Sequence, residues 1–278
     1  MRSNSILYHI LLFLGIFSCN KNEPTNEINN DTGSTAEERK WSETRNFNNG
    51  ILGEKVNLSA QGNSVYDNEQ VFEGNMSCKM TIEAGETGFG YWGGYIPHPE
   101  KLLEGDELWF RIRILFPEDF DYYSYGEGNR LKFLRVHSET SSGDNIGYND
   151  IYIDMKGSEN PFKYIYEGRQ QWVNIGSPED LPKFNEWETY EFYIRFHSKS
   201  KDEGGQGIVR FWKNGTLLQE ITHLKTLKFD DAKVGRSLIF TYWNGGAPKT
   251  QSVWVDDVVL TSDVPNQKDD KGNNYIGM

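Results

Sequence analysis

The chain has 278 residues, of which 41 are acidic and 29 basic, and its formal net charge is -12. This balance argues against a nucleic-acid-binding protein, whose contact surface is normally basic. Because the only two cysteines are Cys19 and Cys78, the sequence is not a disulfide scaffold, and it has no Cys/His cluster with the spacing of a zinc site.

The first 19 residues have the pattern of an export signal. Arg2 supplies a positive charge, and the apolar run at 6–17 is too short to span a bilayer comfortably. The letters IFSC at 16–19 resemble a bacterial lipobox with Cys19 as the lipidated residue, and ordinary signal cleavage is the alternative. The pattern predicts an exported protein: a cell-envelope lipoprotein, in the outer membrane on its periplasmic or surface face, or a secreted protein.

Two polar segments flank one candidate domain. Residues 20–40 and 263–278 are rich in Asn, Asp, Glu, Gly and Lys and contain few apolar side chains, so they cannot bury enough surface to fold by themselves. We predict a disordered tether at 20–40, a single folded domain at 41–262 and a flexible C-terminal tail at 263–278. The expected protein is a monomer that contacts a membrane only through its lipid anchor.

The candidate domain consists of segments in which apolar and polar residues alternate, with almost no helical periodicity. Alternation is typical of half-buried strands, and Asn214-Gly215 is a strong hairpin signal. Many short strands joined by turns predict an all-β fold, a jelly-roll sandwich of two antiparallel sheets. The predicted strands are 79–83, 107–116, 129–137, 149–155, 187–197, 207–212, 217–222, 237–243 and 252–260.

One predicted strand carries a candidate site. Regular alternation over 129–137 would put Phe133, Arg135 and His137 on one face, with Arg135 and His137 about 7 Å apart. An arginine can hold a carboxylate while a neutral histidine accepts a proton, which suits chemistry on an anionic substrate. A polar surface strand without chemistry is the alternative.

A second strand repeats this arrangement. Arg195 and His197 are also two residues apart, and Tyr193 shares their predicted face. If both strands lined one groove, it would be locally basic and would attract a polyanion; two unrelated solvent-exposed faces are the alternative. Tyr242 stands where another strand runs into a Gly-Gly turn, so it could donate or accept a proton at a groove rim, although a core tyrosine is equally compatible.

The order of several motifs resembles the jelly-roll polysaccharide lyases: the ulvan lyases (polysaccharide lyase family 28), the glucuronan lyases and the heparin lyase I group. The similarity covers roughly residues 85–261, most of the candidate domain. The motifs that carry it are LWFRIRILFPEDF at 108–120, KFLRVH at 132–137, IVRFWKNG at 208–215, FTYWNGG at 240–246 and WVDD at 254–257.

The resemblance implies cleavage of a uronic-acid polymer by β-elimination. In that reaction a cation or amide neutralises the uronate, a base removes the C5 proton, and an acid protonates the departing O4 oxygen. On the matching positions, Arg135 is the neutraliser, His137 the base and Tyr242 the acid; alternatively the tyrosine is both base and acid, with His137 assisting. In heparin and glucuronan relatives a Gln or Asn often stands where this chain has Arg135. The motif order and face parity also suggest Arg195, His197, Tyr193 and Asn149 as substrate-binding residues.

Extra cations in the groove would suit a polymer that also carries sulfate, which favours an endo-acting ulvan lyase. Glucuronan or alginate lyase activity is the alternative, as is a non-catalytic surface-tethered carbohydrate-binding protein. The sequence lacks the Glu-x-Asp-x-x-Glu strand of a laminarinase-type hydrolase. The reaction needs no cofactor; a structural calcium ion is possible, with Asp256 and Asp257 as candidate ligands.

Overall fold

A computed structural model describes residues 39–58, 63–88, 92–122, 130–154, 159–168 and 171–278. The predicted signal peptide, including Cys19, and residues 20–38 of the predicted tether lie outside the described residues, so lipidation and export remain predictions. No helix in the described ranges is long and apolar enough to cross a membrane.

The described chain is built from strands, as predicted, with two short 3-10 turns at Pro178–Asp180 and Lys201–Glu203. In chain order the strands are β1 Ser42–Arg45, β2 Ser64–Asp67, β3 Ser77–Ile82, β4 Gly94–Leu102, β5 Glu107–Leu115, β6 Arg130–Glu139, β7 Asn145–Ile153, β8 Phe162–Tyr166, β9 Gln171–Ile175, β10 Trp187–Arg195, β11 Gly207–Lys213, β12 Thr216–Leu224, β13 Lys233–Asn244, β14 Gln251–Thr261, β15 Gln267–Lys268 and β16 Asn274–Tyr275.

Two antiparallel sheets form a sandwich, which confirms the predicted fold class. The eight-stranded sheet has the order β12-β11-β10-β5-β14-β3-β2, with β1 also paired to β14, and the six-stranded sheet has the order β4-β13-β6-β7-β8-β9. Aromatic side chains from both sheets meet between them: the Phe133 ring centroid lies 5.1 Å from that of Tyr190, and those of Phe162 and Phe211 are also 5.1 Å apart. Each sheet therefore has an inner face in the core and an outer face turned away from it.

Regular alternation fails in the strand that carries Arg135. A register shift between Lys132 and Leu134 relative to β7 inserts an extra residue, and Phe133 and Leu134 both lie in the core. A β-bulge of this kind reverses the side-chain parity of the strand. The prediction that Phe133 shares a face with Arg135 and His137 is therefore wrong; Lys132 shares it instead.

The C-terminal segment 263–278 is not the flexible tail that its composition predicts. It forms the β15–β16 hairpin against the outer face of the eight-stranded sheet, where Tyr275 stacks on Trp212 at 6.0 Å. The indole of Trp212 donates to Asp269 Oδ2 at 2.9 Å, and that of Trp109 donates to the Asn274 carbonyl at 2.9 Å. The two large indoles, together with Tyr193, form a small apolar cluster against which Tyr275 and Ile276 of this otherwise polar segment pack.

The folded region also begins earlier than predicted. Arg39 belongs to the segment predicted to be a tether, but its Nε donates to Asp106 Oδ2 at 2.6 Å. The Lys40 ammonium donates to the Ser262 carbonyl at 2.9 Å. Both residues are therefore fixed to the domain.

The buried Glu191 carboxylate holds the C-terminal segment in place and makes its docking pH-dependent. Glu191 accepts hydrogen bonds from the backbone N–H groups of Ile276 at 2.7 Å and Gly277 at 3.3 Å. Burial nevertheless raises the pKa of Glu191 from 4.5 to about 7. Because its pKa is higher in the folded state, protonated Glu191 contributes to the free energy of unfolding. This contribution is fully present below about pH 4.5 and is lost as the pH rises through 7.

We expect Glu191→Gln, which stays neutral, to remove this pH dependence. In urea titrations between pH 5 and 8, the free energy of unfolding of the unmodified chain should fall relative to the variant as the pH rises. Glu220→Gln is the control, because Glu220 pairs with Arg210 on the same sheet without contacting the C-terminal segment. Parallel pH profiles for Glu191→Gln and the unmodified chain would contradict this role.

Candidate active site

Arg135 and His137 lie on the outer face of the six-stranded sheet. Three outer-face side chains form a row across neighbouring strands: Arg236 of β13 is paired with His137 of β6, and His137 is paired with Tyr148 of β7. We call these three residues the His137 row. The row combines a cation, an imidazole and a phenol, which can neutralise a carboxylate, accept a proton and donate a proton.

His137 is buried beneath its neighbours. Its Nδ1 accepts a hydrogen bond from Arg236 Nε at 3.1 Å, so the proton of the neutral ring is on Nε2. Its ring centroid lies 4.9 Å from that of Tyr148. Burial, followed by the nearby charge of Arg236, lowers the pKa of His137 to about 4, although Glu139 acts in the opposite direction. The imidazole is therefore neutral at ordinary pH and able to accept a proton.

Arg236 is the cation of this row that a ligand can reach. Its side chain is 40% exposed, and its nearest carboxylate contact is Glu139 Oε2, 3.9 Å from Nη2. Glu139 Oε1 is already engaged by the Lys101 ammonium at 2.5 Å. The guanidinium of Arg236 can therefore turn toward an incoming carboxylate without breaking a close ion pair.

Arg135 has a different environment from the one predicted. It is buried, and its guanidinium donates to both oxygens of Asp150 at 2.8 and 3.2 Å and to Thr241 Oγ1 at 3.2 Å. Burial opposes its charge, but Asp150 outweighs this effect and raises the pKa of Arg135. Its guanidinium carbon also lies 3.8 Å from the centre of the Tyr148 ring. The charge of Arg135 is thus compensated by Asp150, and its guanidinium packs against the face of the Tyr148 ring.

Tyr148 supplies the hydroxyl of the row. Its side chain is half-buried, and burial raises the pKa of its phenol, although Arg135 and Arg236 act in the opposite direction. The hydroxyl therefore keeps its proton at neutral pH, as a general acid must. The sequence prediction missed Tyr148 because it started this strand at residue 149, whereas β7 begins at Asn145.

Tyr242 lies on the same outer face but away from His137. It is paired with Lys132, and the Lys132 ammonium lies 5.5 Å from the centre of the Tyr242 ring. Lys132 precedes His137 by five positions on β6, one of which is taken up by the bulge, so the backbones of Tyr242 and His137 are about 13–14 Å apart at the usual rise per residue. The structure does not bring the three predicted catalytic residues together.

The prediction that both Arg-x-His pairs line one groove is wrong. Arg135 and His137 lie on the six-stranded sheet, whereas Arg195 ends β10 of the eight-stranded sheet, with His197 just beyond it. Their outer faces are on opposite sides of the sandwich. Tyr193 shares the face of Arg195 but is buried against Trp109, and its hydroxyl donates to Glu107 Oε1 at 2.6 Å.

Asn149 was also predicted to bind substrate, but it points into the core. Its amide donates to the Thr226 carbonyl at 2.9 Å, and its oxygen accepts from the Tyr164 hydroxyl at 2.7 Å. Alternation along β7 puts Tyr148 and Asp150 outward and Asn149 inward. Asn149 therefore links the sheet to the loop at Thr226 and is not available to a ligand.

The candidate calcium ligands have other partners. Asp256 accepts backbone hydrogen bonds from Phe72 at 3.1 Å, Glu73 at 3.2 Å and Asp257 at 2.8 Å. Asp257 Oδ2 pairs with Arg111 at 2.6 Å. In the part of the chain that the structure describes, no group of three or more His, Cys, Asp or Glu side chains could hold a metal ion. A structural calcium ion remains a prediction without a located site.

Among the comparisons with known proteins, the one with solved structures supports the fold. No family model matches the sequence. No curated protein matches it either. Among solved structures, endo-β-1,4-glucuronan lyase from the fungus Trichoderma reesei aligns with 15% identity and a TM-score of 0.55 over 80% of this chain and 95% of that one. Alginate lyase Aly36B with an alginate tetrasaccharide aligns with 15% identity and a TM-score of 0.56 over 79% and 96%. The cellulose-induced protein Cip1 aligns with 13% identity and a TM-score of 0.51 over 80% and 97%.

The fold is that of the jelly-roll polysaccharide lyases. At identities of 10–15% the likeness concerns architecture alone, and the assignment of chemistry depends on the His137 row.

Proposed function

We propose that this protein is a polysaccharide lyase that cleaves a uronic-acid-containing polymer by β-elimination. The observation that carries the proposal is the His137 row, an accessible guanidinium, a neutral imidazole and a protonated phenol side by side on the outer face of a lyase-type jelly roll. The likeness to glucuronan and alginate lyases supports the same reaction class.

The first step is the neutralisation of the substrate carboxylate. Arg236 turns from His137 Nδ1 to the uronate, where a guanidinium can bind both oxygens. This movement frees the basic nitrogen of His137 at the moment that the substrate arrives. The movement also takes positive charge away from the imidazole. Because the charge of Arg236 lowers the pKa of His137, its departure makes His137 a better proton acceptor.

Proton transfer follows from the same geometry. His137 Nδ1 takes the proton from C5, and the electrons of that C–H bond form the C4–C5 double bond as the C4–O4 bond breaks. Tyr148 donates its hydroxyl proton to O4, which leaves with the other half of the chain. Glu139 Oε2, 3.9 Å from Nδ1, stabilises the imidazolium. The adjacent imidazolium and phenolate then exchange a proton through solvent, which restores the starting state.

For the substrate we propose ulvan, in which sulfated rhamnose adjoins glucuronate or iduronate, with endo-acting cleavage. The support is that a second outer-face cation, Arg130, has no ion pair with a carboxylate of a described residue, in addition to Arg236 of the His137 row. Glucuronan is the second candidate, because a glucuronan lyase is among the similar structures. The proposed setting remains an exported protein, lipid-anchored through Cys19 or secreted, that acts as a monomer without a required cofactor.

The test is the ultraviolet absorbance of the conjugated double bond in the unsaturated uronate product, measured after the protein is mixed separately with ulvan, desulfated ulvan, glucuronan and alginate. A rise with a uronate polymer is expected, largest with ulvan. No rise with any of them, together with measurable binding, would overturn the lyase assignment in favour of a carbohydrate-binding protein.

Replacing Arg236 by Gln should lower kcat/KM by a factor on the order of 10² or more, because the charge that develops on the uronate is no longer compensated. It should also raise the pKa of His137, since one of the charges that lowers it is gone, and so shift the acidic limb of the pH–rate profile upward. Arg210→Gln, which removes an arginine paired with Glu220 on the other sheet, is the control. Unchanged kcat/KM in Arg236→Gln would exclude Arg236 as the neutralising group.

A further inference from the structure

The cations of the outer face differ in how closely a carboxylate pairs with them. Four have a carboxylate within 3 Å: Lys132 with Glu167 at 2.6 Å, Arg135 with Asp150 at 2.8 Å, Lys163 with Asp154 at 2.7 Å and Lys101 with Glu139 at 2.5 Å. Arg236 of the His137 row is 3.9 Å from Glu139. Arg130 differs, because no carboxylate of a described residue forms an ion pair with it. Its guanidinium carbon instead lies 4.7 Å from the centre of the Trp172 ring.

Trp172 is an exposed tryptophan on this face. It is 37% exposed on the edge strand β9. The Tyr152 ring supports it edge-on at a centroid distance of 5.0 Å. An exposed indole thus packs between Tyr152 and a guanidinium that has no carboxylate partner among the described residues. Stacking does not use the five N–H donors of Arg130, and no hydrogen bond joins them to a described side chain, so they can turn to a ligand.

This pair is separate from the His137 row. Arg130 precedes His137 by seven positions on β6, and one bulge lies between them. At the usual rise per residue the two backbones are about 20 Å apart. A group bound at Arg130 therefore cannot be the uronate that reacts at His137, but it can belong to another unit of the same polymer.

We infer that Arg130 and Trp172 form a second subsite, which binds an acidic sugar unit several residues from the bond that is cleaved. The guanidinium binds a sulfate ester or a carboxylate through paired hydrogen bonds, and the indole packs against the apolar face of the sugar ring. The subsite makes the protein select long polymers with repeated charges. This inference rests on the proposed function, because the same polymer must reach both places.

The experiment measures dissociation constants by calorimetry for ulvan, desulfated ulvan and glucuronan. Arg130→Gln should weaken binding about tenfold or more, the effect of a lost charge-assisted hydrogen bond, while kcat stays unchanged. Lys163→Gln is the matched control: it removes the same charge from the same face, but from a lysine that is already paired with Asp154. Trp172→Ala should weaken the binding of all three polymers, since stacking does not depend on sulfate.

The polymers distinguish the bound group. A loss for ulvan alone identifies a sulfate ester, and an equal loss for all three identifies a carboxylate; both results support the subsite. Equal dissociation constants for Arg130→Gln and Lys163→Gln with every polymer would overturn the proposed subsite. If Arg130→Gln and Lys163→Gln bind the polymers equally well while the unmodified protein still releases unsaturated uronate, the subsite is excluded and the proposed lyase function is retained. If the unmodified protein cleaves none of the polymers, the proposed function fails, and the binding data alone decide whether Arg130 recognises the acidic group.

Discussion

Tyr148→Phe is expected to reduce turnover of a uronate polymer by a factor on the order of 10² to 10⁴, the usual effect of losing a general acid. Without the phenol, the row loses its hydroxyl donor for O4, and His137 is neutral with its Nδ1 acting as an acceptor when the substrate binds. KM should change little, since the ring itself remains over Arg135. Rates of release of unsaturated uronate, measured over a range of polymer concentrations, would separate the two parameters.

Tyr242→Phe is the matched control. It removes the same hydroxyl from the same face of the sheet, but beside Lys132 instead of His137. We expect it to retain most of the turnover. If Tyr242→Phe were inactive and Tyr148→Phe active, the acid would be Tyr242, as the sequence resemblance implies, and the reacting bond would have to lie next to Lys132.

Asp150→Asn is expected to lower the free energy of unfolding by about 3–5 kcal/mol, the cost of leaving one member of a buried ion pair without its partner. Asp150 is fully buried, and its two oxygens accept two hydrogen bonds from the buried Arg135 guanidinium. An asparagine keeps the shape but not the charge, so Arg135 would remain buried and largely uncompensated. Urea denaturation followed by intrinsic fluorescence gives the measurement.

Glu167→Gln provides the comparison. Glu167 also contacts Arg135, at 3.2 Å, but its side chain is 27% exposed, and solvent screens the pair. Its loss should cost about 1 kcal/mol or less. Equal effects of the two substitutions would mean that Asp150 does not hold the charge of Arg135, and Arg135 would again be available to neutralise a substrate, as the sequence suggested.

The sequence alone was sufficient for the fold class. Alternation along β5 and β10 correctly separates inward side chains such as Ile112 and Phe192 from outward ones such as Arg111 and Glu191. The reason is that side-chain direction in a regular strand follows from local backbone geometry, which has a period of two. The same pattern identified the strand that carries His137, and its resemblance to lyase motifs pointed to uronate chemistry.

Only the tertiary structure decided which residues meet. The bulge at Phe133 depends on pairing with β7, so a single strand read by itself assigns Phe133 to the wrong face. Arg236 and Tyr148 become neighbours of His137 through cross-strand register, which joins positions that are far apart in the chain. Likewise, Arg195 and His197 share the local pattern of Arg135 and His137 but belong to the opposite sheet. Local periodicity determines which way a side chain points; long-range pairing and packing determine what it faces.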